Sequence, residues 1–330
     1  MTQGDQARTA LDVKDAVLRA ERRIRRYVRE TPLEPSPDLS AAVGAHVLLK
    51  LENLQITGSF KLRGAVNRLL ALGPDDRARG VIAASTGNHG LAVAHAARLL
   101  RIPCRVFVPE SVRPDKADAL AREGVNVERR GGDCVEAEAA ARAEAGATGR
   151  TYVSGYNDLE VIGGQGTIAI ELMREMGTVT YLFAAVGGGG LVSGVGGFLK
   201  SGRKPVVVVG CQPERSPVMS ESVKAGRIVT MESGPTLSDA TAGGIEPGSI
   251  TFELCRTIVD EWVIVSEDEI RAAMKLLFDR HRLVIEGAAG VAVAGLLRMR
   301  DAVARVPGAN AVVIVCGGNV DVAEFRRLVL

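Results

Sequence analysis

The stretch Thr180-Tyr181-Leu182-Phe183-Ala184-Ala185-Val186-Gly187-Gly188-Gly189-Gly190-Leu191-Val192-Ser193-Gly194-Val195 decides how the rest of the chain is read. Its first seven residues are almost wholly apolar, the pattern of a strand buried on both faces. Four glycines follow, and then the apolar spacing of a helix. Glycines without Cβ let backbone N–H groups converge on an anion, and the helix start adds positive potential. A phosphate is therefore favoured at Gly187 to Gly190 without help from lysine or arginine. The spacing is neither the dinucleotide fingerprint G-x-G-x-x-G nor a P-loop. A plain flexible strand-to-helix turn has the same pattern, so the run needs company before it means chemistry.

Outward from this stretch, apolar runs alternate with helical patterns. Val81–Ala84, Cys104–Val108, Val125–Arg129, Pro205–Gly210 and Ala311–Val315 are strand candidates, separated by helices over 88–100, 115–123 and 132–145. Such alternation predicts an α/β fold with parallel sheets covered on both faces. The interval 53–157 holds a compact αβαβα set of its own. The expectation is a small domain at 53–157 and a large domain made of 1–52 plus 158–330, with no residues left for a C-terminal regulatory domain.

Three other places carry chemical potential. Lys61, in Ile56-Thr57-Gly58-Ser59-Phe60-Lys61-Leu62-Arg63-Gly64-Ala65, follows a Gly-Ser turn and opens a helical pattern. A partly desolvated amine there loses its charge and becomes a nucleophile, although most lysines are solvated surface residues. Ser85-Thr86-Gly87-Asn88-His89-Gly90 lies between a strand and a helix, where hydroxyls and helix-start N–H groups can seat a carboxylate or simply cap the helix. His89, alone at a helix start, is more simply structural than a general base. Val315-Cys316-Gly317-Gly318-Asn319 ends the last apolar strand, on the side where open parallel sheets collect ligands, though a buried cysteine in a turn has the same pattern.

Composition narrows the classes. With 41 Lys+Arg against 39 Asp+Glu the net charge is +2, which offers no electrostatic case for nucleic acid. The basic run from Arg19 to Arg29, interleaved with Ile24 and Val28, is an amphipathic helix with a solvated basic face. Five cysteines without a C-x-x-C pair fit a reducing cytoplasm. The polar N-terminus lacks the apolar core of a signal peptide, and no run approaches the ~20 apolar residues that cross a bilayer. No zinc-like His/Cys spacing and no G-x-S-x-G elbow occur.

Taken in order, Ser59-Phe60-Lys61-x-Arg63-Gly64-Ala65, Ser85 to Gly90, Gly164-Gln165-Gly166-Thr167, the tetraglycine run and Cys316-Gly317-Gly318-Asn319 match one family. Over roughly residues 15 to 320 the chain resembles the serine/threonine dehydratases, pyridoxal-phosphate enzymes of the tryptophan synthase β-like fold (fold type II). The resemblance implies two parallel-sheet α/β lobes with pyridoxal 5'-phosphate in the cleft between them. It implies that Lys61 is the Schiff-base lysine and α-proton base, with Phe60 against the ring and Asn88 at the 3-hydroxyl. Gly187, Gly188, Gly189, Gly190 and Leu191 correspond to the phosphate loop, and Cys316 to the position beside the pyridine nitrogen. Ser85, Thr86, Gly87, Asn88 and His89 correspond to the loop that binds the substrate carboxylate.

The implied reaction is β-elimination of water from L-threonine, L-serine or a similar β-hydroxy amino acid, giving a 2-oxo acid and ammonia. The Ser154 to Asp158 and Thr241 to Glu246 segments look like those of a subgroup annotated for hydroxyectoine utilisation, whose substrate would be a larger β-hydroxy amino acid. Serine racemisation and β-replacement are lesser alternatives. Racemising relatives carry serine where Thr86 stands, and the extra methyl argues for dehydration. Metal-activated relatives carry carboxylates where Gln212 and Val218 stand, so no metal is expected. A cytoplasmic homodimer completes the expectation.

Overall fold

In the computed structural model the described residues run from 3 to 329, with side chains from 12 onward. Among the described residues ten strands form two sheets: β1 (Leu33–Pro35), β2 (His46–Lys50), β3 (Val81–Ala84), β4 (Cys104–Val108), β5 (Asn126–Arg129), β6 (Thr151–Tyr152), β7 (Tyr181–Ala185), β8 (Val207–Pro213), β9 (Glu261–Val265) and β10 (Asn310–Ile314). The six-stranded sheet has the order β1-β2-β10-β7-β8-β9, and the four-stranded sheet the order β5-β4-β3-β6. Every strand of the smaller sheet comes from within residues 81–152.

The strands expected to be doubly buried are so. All five residues of β7 are buried, as are the last four of β10. Pairing is parallel except at one edge, where β1 runs antiparallel to β2. The expected parallel sheets are thus present, with one short antiparallel edge strand added. β1 and its neighbour β2 are joined by a short helix, Pro37–Val43, that brings the chain back alongside itself instead of crossing the sheet. β1 has one half-buried and two exposed residues, too short and too polar to stand out in the sequence.

Two long helices carry the functional loops and meet through glycines. The helix Lys61–Ala71 packs on Leu159–Met176, where a Cβ at Gly164 would lie 2.5 Å from the Arg63 carbonyl oxygen. Only glycine lets the backbones approach so closely, which gives Gly164-Gln165-Gly166-Thr167 a packing role. The same junction is pinned by a buried ion network. Arg63, fully buried, holds both oxygens of Glu52 at 2.8 Å and both of Glu171 at 2.6 and 2.9 Å. Lys50 adds a bond of 2.8 Å to Glu171. Burial opposes ionisation of Glu171, but Arg63 and Lys50 outweigh it and hold the carboxyl down at about 2. Removing one partner from such a network costs about 3–5 kcal/mol, so Lys61 stands on a stiff base.

The helix Gln3–Ile24 ends before the basic run does. Its arginines are not simply solvated: Arg23 pairs with Glu160, and Arg25 bonds Glu21 at 2.6 Å and Glu171 at 2.8 Å. Arg19, Arg22, Arg26 and Arg29 are exposed, as a solvated face requires, while Arg23 and Arg25 turn toward Leu159–Met176.

Candidate active site

Three loops leave the carboxyl ends of parallel strands and converge on a cavity of about 520 Å³: Ser85 to Gly87 after β3, Gly187 to Gly189 after β7, and Cys316 to Gly318 after β10. All the residues picked out in the sequence line it: Phe60, Lys61, Ser85, Thr86, Gly87, Asn88, His89, Gly187, Gly188, Gly189, Gly190, Leu191 and Cys316.

Lys61 is positioned by backbone hydrogen bonds between two of these segments. Gly58 turns the chain with φ +73°, the Phe60 N–H donates to the Cys316 carbonyl at 3.1 Å, and the Gly318 N–H donates to the Gly58 carbonyl at 2.9 Å. The helix then begins at Lys61 itself. Its Nζ donates to the Gly155 carbonyl oxygen at 2.8 Å and lies 5.3 Å from the centre of the Phe60 ring. The residue is half-buried by accessible surface, yet the amine is ringed by protein. Loss of hydration lowers its pKa to about 8, against the opposing pull of Cys316 and Glu286. A substantial neutral fraction near physiological pH makes it a usable nucleophile and base.

The tetraglycine run is a cradle that side chains would fill. A Cβ on Gly187 would lie 2.9 Å from Thr241 Cα, one on Gly189 2.7 Å from Cys255 Sγ, and one on Gly188 would meet the Tyr156 ring. Gly189 adopts φ +87°, which favours glycine outright. The first bond of the helix Gly190–Lys200 is Ser193 N–H to the Gly189 carbonyl at 3.0 Å, so the preceding N–H groups have no helical partner and face the loop. An anion placed there meets several donors and the positive end of the helix.

Asn88 begins the helix Asn88–Leu100. Its Nδ2 donates to Glu286 Oε1 and Oε2 at 2.9 and 2.8 Å, and its Oδ1 accepts from Asn319 Nδ2 at 2.7 Å. His89 directs Nε2 at the Val153 carbonyl, 2.8 Å away, and burial with the nearby Lys61 charge lowers its pKa to about 4. It is neutral at pH 7 and holds the loop to β6's exit, the structural role. Ser85 is occupied locally, accepting from the Gly87 N–H at 3.1 Å. Cys316 is 3% exposed, and burial together with the Glu286 charge raises its pKa well above the usual thiol range. It presents a neutral thiol.

Among the other cavity residues, the sequence does not single out Glu286, and it singles out Tyr156 only as part of the 154–158 segment. Glu286, at the entrance of the apolar helix Gly287–Arg298, has the look of an ordinary helix-start acid; its chemistry comes from burial that only the fold supplies. Tyr156 lies over the glycine loop, its hydroxyl accepting from the Glu246 N–H at 2.9 Å. The two segments that drew attention as subgroup-like, at 154–158 and 241–246, therefore touch each other. Gln212 sits where a metal-activated relative would carry a carboxylate. Its Nε2 donates to the Val186 carbonyl at 3.0 Å and its Oε1 accepts from the Ser220 N–H at 2.8 Å. Among the described residues no group of three or more His, Cys, Asp or Glu could hold a metal ion.

A lysine of lowered pKa, an anion cradle and a buried thiol on one cavity fit a phosphate-bearing aldehyde. Comparison with known proteins agrees. The pyridoxal-phosphate dependent enzyme family matches residues 24–317. The chain belongs to that family. An L-threonine ammonia-lyase of Thermotoga maritima is 40% identical over 321 residues, covering 97% of this chain and 78% of that protein. The processed form of threonine deaminase isoform 2 from Solanum lycopersicum superposes with a TM-score of 0.91 at 30% identity, covering 99% and 88% of the two chains. Maize serine racemase superposes with a TM-score of 0.90 at 28% identity, covering 95% of each. The fold-type II expectation is met, and pyridoxal phosphate is the cofactor of this family. No helix among the described residues is long and apolar enough to cross a membrane.

Proposed function

We propose that the chain is a threonine or serine dehydratase, removing water from a β-hydroxy amino acid to give a 2-oxo acid and ammonia. The observation that carries this reading is the single cavity shared by Lys61 and the tetraglycine loop. It is supported by relatives named as L-threonine ammonia-lyase and L-threonine dehydratase at 40% and 36% identity.

When bound, pyridoxal phosphate supplies the electron sink that makes the substrate α-proton removable. Lys61 would hold it covalently and Gly187 to Leu191 would hold its phosphate. The Asn88 amide would meet the ring hydroxyl and the Cys316 thiol the ring nitrogen, with Phe60 beside the ring. A neutral thiol there would offer no negative charge to hold a proton on that nitrogen, a setting suited to elimination. Ser85 to His89 would bind the substrate carboxylate through hydroxyls and helix-start N–H groups. The free Lys61 amine would take the α-proton on Nζ, and the β-hydroxyl would leave as water on receiving a proton in exchange. Hydrolysis of the released enamine, consuming one water, then gives the 2-oxo acid and ammonia. Thr86 stands at the edge of the same cavity, its hydroxyl flanked by a methyl that crowds a second proton-transfer role on the opposite face.

Residues 53–157 are proposed to act as a small lobe that shuts on the rest, in a cytoplasmic homodimer. Incubation with L-threonine, L-serine and a larger β-hydroxy amino acid, with oxo-acid and ammonia detection, tests the reading. Formation of D-serine without ammonia would replace it with racemisation.

A further inference from the structure

Glu286 is 5% exposed and joined to the loop that carries Cys316, its backbone N–H donating to the Gly317 carbonyl at 3.1 Å. Both carboxylate oxygens take the Asn88 amide, at 2.9 and 2.8 Å, and Oε1 lies 3.9 Å from Cys316 Sγ. On the Gly317 side the carboxylate is packed tightly, since a Cβ on Gly317 would lie 2.5 Å from Oε1, while its other side lines the cavity. With Asn319 holding the other face of the Asn88 amide at 2.7 Å, that side chain has one orientation. Flipping it would turn its carbonyl oxygen toward the carboxylate and its NH2 toward another NH2.

The charged and titratable groups facing Glu286 are Lys61 from the helix Lys61–Ala71, Asp239 from the turn before Thr241, and the Cys316 thiol. Burial raises the carboxyl to about 7; the Asn88 hydrogen bond opposes this, Asp239 adds to it and Lys61 opposes it. A carboxyl with that value changes charge within the working pH range.

We propose that Glu286 is a positioning residue for the cofactor, locking the Asn88 amide and placing a titratable carboxyl between Asn88, Cys316 and Lys61. Its charge then sets the pH at which the lysine-bound cofactor loses its proton. This rests on Lys61 carrying pyridoxal phosphate. An anion beside a protonated nitrogen stabilises the cation, so removing the anion moves the titration to lower pH.

The test is the visible absorbance of bound cofactor, followed from acid to alkaline pH in the full-length Glu286→Gln and Glu286→Asp proteins reconstituted with pyridoxal phosphate. Glu286→Gln is expected to lower the spectral midpoint by about one pH unit and to weaken cofactor binding by about tenfold. Glu286→Asp keeps the charge but withdraws it from Asn88, and a smaller downward shift is expected. A midpoint that stays or rises in Glu286→Gln overturns the proposal. If Glu286→Gln fails to fold, Glu286→Asp decides on the same criterion. Borohydride reduction of the unaltered protein separates the two levels: without label on Lys61 the function itself fails, whereas label with an unshifted midpoint removes only the role of Glu286.

Discussion

Lys61 Nζ donates to the Gly155 carbonyl oxygen at 2.8 Å, so the amine rests against the segment that also carries Tyr156. Its pKa, lowered to about 8 by burial, sets the pH dependence of cofactor capture. Only the neutral amine attacks an aldehyde, so the rate at which apo-protein takes up pyridoxal phosphate should climb about tenfold per pH unit below 8 and level off above it. Stopped-flow absorbance checks this. A rate independent of pH across that range would mean the amine is already neutral or does not react. Lys61→Ala should abolish the borohydride-fixed label and reduce ammonia release by about 10³-fold or more.

Gly188→Ala tests the cradle. The new methyl would enter the space of the Tyr156 ring, so either the ring or the loop must shift. Cofactor affinity should fall by about tenfold or more while the apo-protein stays folded. The collision is specific, and so is its relief: Tyr156→Ala combined with Gly188→Ala should recover part of the loss. Titration of cofactor fluorescence against the double-mutant cycle measures this coupling, and strictly additive effects would count against it.

Much of the site was legible because its parts are local. A strand, a glycine run and a helix start make an anion cradle from neighbours in sequence; Ser85 to Gly90 and the turn before Lys61 are likewise local motifs. What escaped is long-range. Glu286 acquires its character from burial, in a pocket it shares with Asn88 and Cys316, and Arg23 is set by Glu160. Short strands such as β1 and β6 have only three and two residues, and pairing partners define them more than composition does.

Basic residues from the segment that carries the smaller sheet pair with acidic residues far along the chain, two of the pairs at the cavity. Arg113 lies 3.2 Å from Asp321, Lys116 3.8 Å from Asp239, and Arg142 2.8 Å from Glu246. Each pair is partly exposed and is worth at most about 1 kcal/mol. Together they should modestly favour the arrangement in which these segments meet at the cavity. Asp239→Asn with Asp321→Asn is expected to raise KM for the amino acid about threefold, with kcat less affected. The difference from the unaltered enzyme should shrink near ~1 M salt, where screening reaches ~3 Å. A salt-independent difference in steady-state kinetics would assign the effect to something other than charge.

Gln212 is 1% exposed, and its amide spans two backbone groups that have no water to turn to: the Val186 carbonyl, one residue before the glycine loop, and the Ser220 N–H in the first turn of the helix Val218–Ala225. A neutral amide can serve both at once, donating to one and accepting from the other. A carboxylate could accept from Ser220 but would face the Val186 oxygen with a second acceptor. Gln212→Glu should therefore weaken the stem of the phosphate loop, unless a cation enters to reconcile the two oxygens. Gln212→Leu strands both backbone groups at about 1–3 kcal/mol each. Thermal melting should show Gln212→Leu clearly destabilised and weaker in cofactor binding. The unaltered enzyme should keep its full activity in a divalent-ion chelator, since the glutamine already bridges this point. Loss of activity in chelator, restored by magnesium or calcium, would refute that assignment.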